Sequence, residues 1–149
     1  MVSPKLYDDL LMDHIKNARN YYALDDASRT ASGVNPLCGD EVTVYLKLTE
    51  NCVEEIAFQC TCCGISMASA SIMTQSLRGK ETGDALTAIR AFACLLATPS
   101  EVGVTTDTNE HAVIEAVRRF PTRMQCALLP WVTLEAALQG RVAAAVSGQ

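Results

Sequence analysis

Two periods of hydrophobic and polar positions divide the chain. Val42, Val44, Leu46 and Leu48 alternate with Thr43, Tyr45, Lys47 and Thr49, the period-two pattern of a half-buried strand. Glu50-Asn51 marks a turn, and Ile56, Phe58 and Cys60 resume the alternation, so Glu41 to Cys60 predicts a hairpin. Beyond Gly64 the rhythm changes. Ile65, Ala68, Ser69, Ile72, Met73 and Leu77 recur at helical spacing. The same spacing predicts a first helix carrying Leu6, Leu10, Leu11, His14, Ile15 and Ala18, with Pro4 near its start. A helix with Leu86, Ile89, Ala93 and Leu96 follows Thr82 or Asp84 and closes at Thr98-Pro99. A short one with Val113, Ala116, Val117 and Phe120 stops at Pro121. The last helix is expected to begin close to Cys126, because Pro130 lacks an N–H and suits only a first turn. Its apolar side, with Trp131, Leu134 and Leu138, runs to Gly140, and the tail 141–149 is expected to fray. A short strand is expected around Thr30 to Val34, followed by a tight turn at Asn35-Pro36-Leu37-Cys38-Gly39-Asp40. Ser100 to Asn109 is a polar connection.

Strands first and helices after describe an α+β fold: a small antiparallel sheet of two to three strands packed against about five helices. With 149 residues and no linker or repeat, 1–149 reads as a single domain.

Composition narrows the function classes. A net charge of −5 offers no broad electrostatic attraction for nucleic acid or an anionic membrane. No apolar run reaches the length of a membrane span, and Met1-Val2-Ser3-Pro4-Lys5 is not a signal peptide, so the expected setting is cytoplasmic. Seven cysteines in such a setting argue for metal or redox chemistry over a disulfide framework.

The thiols concentrate at element ends. Cys60, Cys62 and Cys63 lie where a strand hands over to a helix, whose N-terminus favours thiolate over thiol. Cys38-Gly39-Asp40 precedes a strand and Cys126 begins a helix. Three thiolates and a carboxylate suit a tetrahedral zinc site or a small iron–sulfur cluster. Each residue also has a plainer reading. Asp40 can cap a turn, and Arg123 can be a surface charge or a cation that supports a thiolate at Cys126. Cys94, among Phe92, Leu95 and Leu96, reads as a small buried hydrophobe, and Cys52 as incidental. His14 reads as a satisfied helix-face histidine and His111 as solvated. Two rival functions stand beside metal-based sulfur chemistry. One is a thiol–disulfide oxidoreductase built on the C-x-x-C of Cys60 to Cys63, though the βαβ pattern of a thioredoxin-like fold is missing. The other is a purely structural zinc module.

Several motifs together resemble a known family. They are Leu6-Tyr7 with Asp13-His14 and Arg19-Asn20, then Asn35-Pro36-Leu37-Cys38-Gly39-Asp40, Cys63-Gly64-Ile65-Ser66-Met67-Ala68-Ser69-Ala70-Ser71, Gly79-Lys80 and Arg123-Met124-Gln125-Cys126-Ala127-Leu128-Leu129-Pro130-Trp131. In these the chain is similar to the iron–sulfur cluster assembly proteins of the IscU, SufU and NifU N-terminal type. Gln125 in place of a histidine, Arg123, and Pro99 to Ala116 as an extra segment make it most similar to the SufU branch. The Leu-Pro-Pro-Val-Lys chaperone motif of IscU is missing. The resemblance implies Cys38, Asp40, Cys63 and Cys126 as ligands of zinc, of a [2Fe-2S] cluster, or of each in turn. It implies Cys38 as the persulfide acceptor, a SufS-like cysteine desulfurase as sulfur donor, and Suf cluster-assembly proteins or client apoproteins as recipients. Whether such a chain acts as a scaffold or as a zinc-dependent sulfurtransferase partner stays open. One departure stands out: Cys60 and Cys62 occupy positions where the family usually has glycine. They are candidate auxiliary ligands or a resolving thiol, or they merely pack, and a stiffer turn is expected because cysteine accepts positive φ less readily.

Overall fold

The computed structural model describes residues 4–36, 39–97 and 108–146. Helix α1 (Pro4–Lys16) leads into strands β1 (Arg29–Asn35), β2 (Asp40–Thr49) and β3 (Cys52–Thr61). Helices α2 (Gly64–Leu77), α3 (Thr82–Ala97), α4 (Thr108–Arg119) and α5 (Met124–Leu138) follow, with a 3-10 turn, Pro121–Arg123, just before α5. A short strand, β4 (Ala143–Ala145), ends the described chain. None of the described helices is long and apolar enough to cross a membrane.

The sheet has the order β3-β2-β1-β4. β1, β2 and β3 pair antiparallel, as the alternation required, with Val44 opposite Ala31 on one side and Phe58 on the other. β2 shows the physical basis of the pattern: Val42, Val44 and Leu46 are buried, while Thr43, Tyr45 and Lys47 lie toward solvent. Burying each large apolar side chain contributes about 1.5–3 kcal/mol, and the buried row forms the floor on which the helices sit.

The C-terminal end corrects one expectation. Ala143, Ala144 and Ala145 do not fray but pair in parallel with Ser32, Gly33 and Val34 of β1. The Ser32 N–H donates to Val142 O at 3.0 Å, the Val146 N–H donates to Val34 O at 3.2 Å, and Val146 is buried. The pairing satisfies backbone groups along the free edge of β1.

Helix α5 lies across β1 and β2 and beside α2. Gly33 makes its close approach to β1 possible, since a Cβ there would overlap Thr133 Oγ1. Trp131 is fully buried, stacked on Phe92 of α3 with ring centroids 4.1 Å apart. Its Nε1–H donates to Ser69 Oγ at 2.8 Å, and the Ser69 hydroxyl donates to Ala127 O at 2.6 Å, which ties α5 to α2.

Two more expectations need correction. α5 begins at Met124, so Pro130 stands inside the helix and not in its first turn. The missing Pro130 N–H leaves the Cys126 carbonyl without its usual i+4 donor, and the Ser66 hydroxyl of α2 takes that place at 2.8 Å. A neighbouring element thus supplies the bond that the helix lacks. Cys94 is exposed, not buried. The buried face of α3 is made by Ala85, Ile89, Phe92 and Leu96, and Cys94 lies off that stripe while Leu86 and Ala93 are only half-buried.

Candidate metal centre

Three of the residues singled out from sequence come together. Asp40 opens β2, opposite Asn35 at the end of β1. Cys63 is the N-cap residue of α2, and Cys126 is the third residue of α5. The carboxylate oxygen of Asp40 and the sulfurs of Cys63 and Cys126 all lie within 4.8 Å of one another. Asp40 and Cys126 are buried and Cys63 is half-buried. Cys38 lies outside the described residues, in the connection between Asn35 and Asp40. Within that connection Gly39 has φ +75°, a conformation that side chains resist, and its N–H donates to Asn35 O at 2.9 Å.

The convergence follows from element ends. The start of a strand, the N-terminus of α2 and the N-terminal turn of α5 meet at one end of the sheet. Cys63 is at the N-terminus of α2 and Cys126 in the first turn of α5, where the partial positive charge of a helix N-terminus favours anions. Ser66, one turn into α2 and fully buried, sits among them. Its Oγ lies 3.1 Å from Asp40 Oδ2, 2.8 Å from Cys126 O and 3.7 Å from Cys63 Sγ. With one hydroxyl proton it donates to one oxygen at a time. Asn35, also buried, directs its amide Nδ2 at Cys126 Sγ from 3.9 Å. Neither residue was singled out from the sequence as a site residue. Their signals were present: Ser66 is three residues after Cys63, and Asn35 heads the Pro36-to-Asp40 turn.

The donor set fits a metal that accepts sulfur and oxygen. Two thiolates and a carboxylate with a further thiol two residues from Asp40 are the ligand types of a tetrahedral zinc site. They equally suit iron held mainly by sulfur. Sulfurs on one zinc ion sit about 3.8 Å apart given Zn–S bonds of about 2.3 Å, so the observed cluster needs only a small contraction.

A cavity of about 310 Å³ opens beside Cys63, lined by Ile15, Gly64, Ile65, Phe120 and Arg123. Arg123 is exposed and lies in the 3-10 turn directly before α5. The cavity thus gives Cys63 a mostly apolar surround with an arginine at its edge. The imidazoles stand apart from the cluster or outside the description. His14 is buried with Nδ1 2.7 Å from Ser71 Oγ, a satisfied core histidine as expected. The side chain of His111 lies outside the described residues, as does 98–107 of the extra segment, which continues from Thr108 as α4. The Cys52 thiol donates to Gly79 O at 3.6 Å, away from the cluster.

Cys60 and Cys62 are joined to each other by a disulfide. Neither has a positive φ, since the only non-glycine residues described with one are Asn20 and Glu50. The strain expected from replacing glycine is therefore not incurred.

The chain is similar to known proteins along most of its length. Residues 6–127 match the model of the NifU-like N terminal domain. The zinc-dependent sulfurtransferase SufU of Bacillus subtilis (strain 168) is 38% identical over 130 residues, covering 87% of each chain. The iron-sulfur cluster assembly scaffold protein IscU of Thermotoga maritima is 30% identical over 142 residues, 93% of this chain and 96% of that one. The crystal structure of FiSufU from Fervidobacterium islandicum AW-1 superposes with a TM-score of 0.74 at 31% identity, over 92% of this chain and 99% of that one. A NifU-like protein (N-terminal) from Brucella abortus has the same fold, with a TM-score of 0.77 at 22% identity over 93% and 96% of the two chains.

Proposed function

This chain belongs to the family of the NifU-like N-terminal domain, and from that premise we propose that it serves iron–sulfur cluster assembly by accepting persulfide sulfur from a cysteine desulfurase at a site made of Cys38, Asp40, Cys63 and Cys126. The observation that carries this reading is the approach of Asp40, Cys63 and Cys126 to within 4.8 Å of one another at the meeting of two helix N-termini and a strand end. A disulfide-exchange enzyme or a structural zinc module gives no reason for a buried carboxylate between two thiols beside an open cavity.

The four residues would hold zinc, which when bound keeps thiols in their thiolate form. The carboxylate is the weakest partner in that set and the readiest to yield its place. The Cys38 thiolate attacks the outer sulfur of the persulfide on the desulfurase cysteine. The donor S–S bond breaks, the desulfurase cysteine leaves as thiolate, and Cys38 carries the persulfide. Arg123, at the rim of the Cys63 cavity, supports the thiolate and persulfide anions at the site. Ser66 and Asn35 hold Asp40 and Cys126 in place. Recipients are cluster-assembly proteins or apoproteins, and a cytoplasmic setting keeps the thiols reduced between turnovers.

The similarity to IscU supports a second version, in which the same ligands hold a transient [2Fe-2S] cluster as cargo. Anaerobic purification with metal and sulfide analysis separates the two. The zinc version predicts about one zinc per chain and no iron–sulfide chromophore. A chromophore that moves intact to an apoprotein would overturn it.

A further inference from the structure

The bond between Cys60 and Cys62 sits beside a site proposed to carry sulfur, and nothing in that reading uses it. Cys62 directly precedes Cys63, a member of the Asp40–Cys63–Cys126 cluster, so the bond ends one residue along the chain from that cluster. Cys60, at the other end, lines a different surface cleft with Tyr21, Glu41, Thr43, Gln59 and Thr61, about 270 Å³ in volume. Both residues are half-buried. The backbone at Cys60 is held from outside: the Tyr21 hydroxyl donates to Cys60 O at 3.0 Å and stands 3.3 Å from the Cys60 N–H, and the Phe58 N–H donates to Asn20 O at 3.0 Å along the outer edge of β3. Cys60 Sγ also lies 3.9 Å from Met67 Sδ on α2. The two α-carbons are 5.5 Å apart, a span at which sulfurs bond readily.

This bond is a poor staple. It closes a loop over a single intervening residue, and a loop so short removes little freedom from the unfolded chain. Strand β3 is already held by β2 and by the buried Ile56 and Phe58. What the pair offers, when reduced to two thiols, is two electrons. Sulfane sulfur on a cysteine must gain two electrons to leave as sulfide, and a neighbouring dithiol is a source of two.

We propose that Cys60 and Cys62 form a resolving dithiol that reduces the sulfur carried at the neighbouring site and releases it as sulfide. The proposal rests on the persulfide reading above. The Cys62 thiolate attacks the outer sulfur of the persulfide, the S–S bond there breaks, and the carrier cysteine leaves as thiolate. Cys62 now bears the persulfide. The Cys60 thiolate attacks the inner, Cys62-bound sulfur and expels hydrosulfide, forming the Cys60–Cys62 bond that the structure shows. One sulfane sulfur is reduced to sulfide and two thiolates are oxidised to one disulfide, so atoms and electrons balance. A dithiol reductant returns the pair to its reduced form.

The test uses the full-length, metal-loaded chain, with Cys60–Cys62 reduced and the reductant removed. It is loaded anaerobically with glutathione persulfide, freed of excess reagent, and followed by sulfide assay and peptide mass mapping. Wild type is expected to release its sulfur as sulfide while the Cys60–Cys62 peptide loses two hydrogens. Cys60→Ser is expected to stop with the extra sulfur on Cys62, and Cys62→Ser with the sulfur on the carrier cysteine. Both should release sulfide about tenfold more slowly or worse while holding metal as wild type does. Equal sulfide release by wild type and both variants would overturn the proposal, as would wild type that keeps its sulfur with both thiols free. If no variant takes up sulfur at all, the persulfide reading falls with it. Uptake without resolution sinks the resolving dithiol alone.

Discussion

Cys63→Ala or Cys126→Ala is expected to leave the purified chain essentially free of metal. The two sulfurs and the Asp40 oxygen form one cluster within 4.8 Å, so removing either leaves two described ligands where the geometry offers three. Loss of a partner that merely orients a ligand typically lowers metal affinity 10–100-fold, so loss of a ligand should exceed roughly 100-fold. By mass action, a 100-fold loss at saturating metal removes about 2.7 kcal/mol of metal-dependent stabilisation. Titration with zinc against a competing chelator, followed by thermal unfolding with and without the ion, measures both. Cys94→Ala is the control. Cys94 is exposed on α3, off that helix's buried stripe, and its loss should change neither quantity. A Cys63→Ala chain that binds zinc as wild type does would remove Cys63 from the centre.

The second large effect belongs to a residue that binds no metal. Ser66→Ala withdraws the donor that replaces the missing Pro130 N–H at the Cys126 carbonyl, and it removes a hydrogen-bond partner of Asp40. A buried carbonyl left without a donor costs about 1–3 kcal/mol, which corresponds to a fall in Tm of roughly 2–10 °C for a chain of this size. Because the lost hydroxyl orients two ligands at once, zinc affinity should fall about 10–100-fold as well. Ser69→Ala is the informative comparison. It breaks the link from Trp131 Nε1 through Ser69 to Ala127 O, so it should destabilise the chain similarly. It touches no ligand and should leave metal affinity unchanged. Equal zinc affinity in Ser66→Ala and Ser69→Ala would show Ser66 to be a packing residue only.

These two effects differ in how far the sequence announces them. The cluster is legible because Asp40, Cys63 and Cys126 fall where one type of hydrophobic period stops and another begins, and such ends are where distant parts of a chain meet. β2 is legible for the same reason, since Val42, Val44 and Leu46 alternate cleanly with polar residues. β4 is not: an alanine run has no large side chains to alternate, and its pairing is set by the edge of β1 that it finds. The start of α5 near Cys126 is legible, but the place of Pro130 inside the helix is not, because the rule against interior proline counts donors within one helix, whereas the substitute donor, Ser66, comes from another. The exposure of Cys94 is not legible because its sequence neighbours are apolar, whereas on a helix burial follows Ile89, Phe92 and Leu96 at spacings of three and four. The Cys60–Cys62 bond needed coordinates. The sequence places both thiols at the end of β3 but leaves ligation, resolution and packing equally open.

The most direct measurement is the fate of sulfur when the zinc-loaded chain meets a cysteine desulfurase and cysteine under anaerobic conditions, followed by peptide mass mapping without reductant. To hold the sulfur where it first arrives, the mapping is done on the Cys62→Ser chain beside wild type. A gain of one sulfur atom is expected on the peptide containing Cys38, and its loss in Cys38→Ala. Sulfur that appears only on another cysteine, or a Cys38→Ala chain that takes up sulfur as fully as its parent, would contradict it.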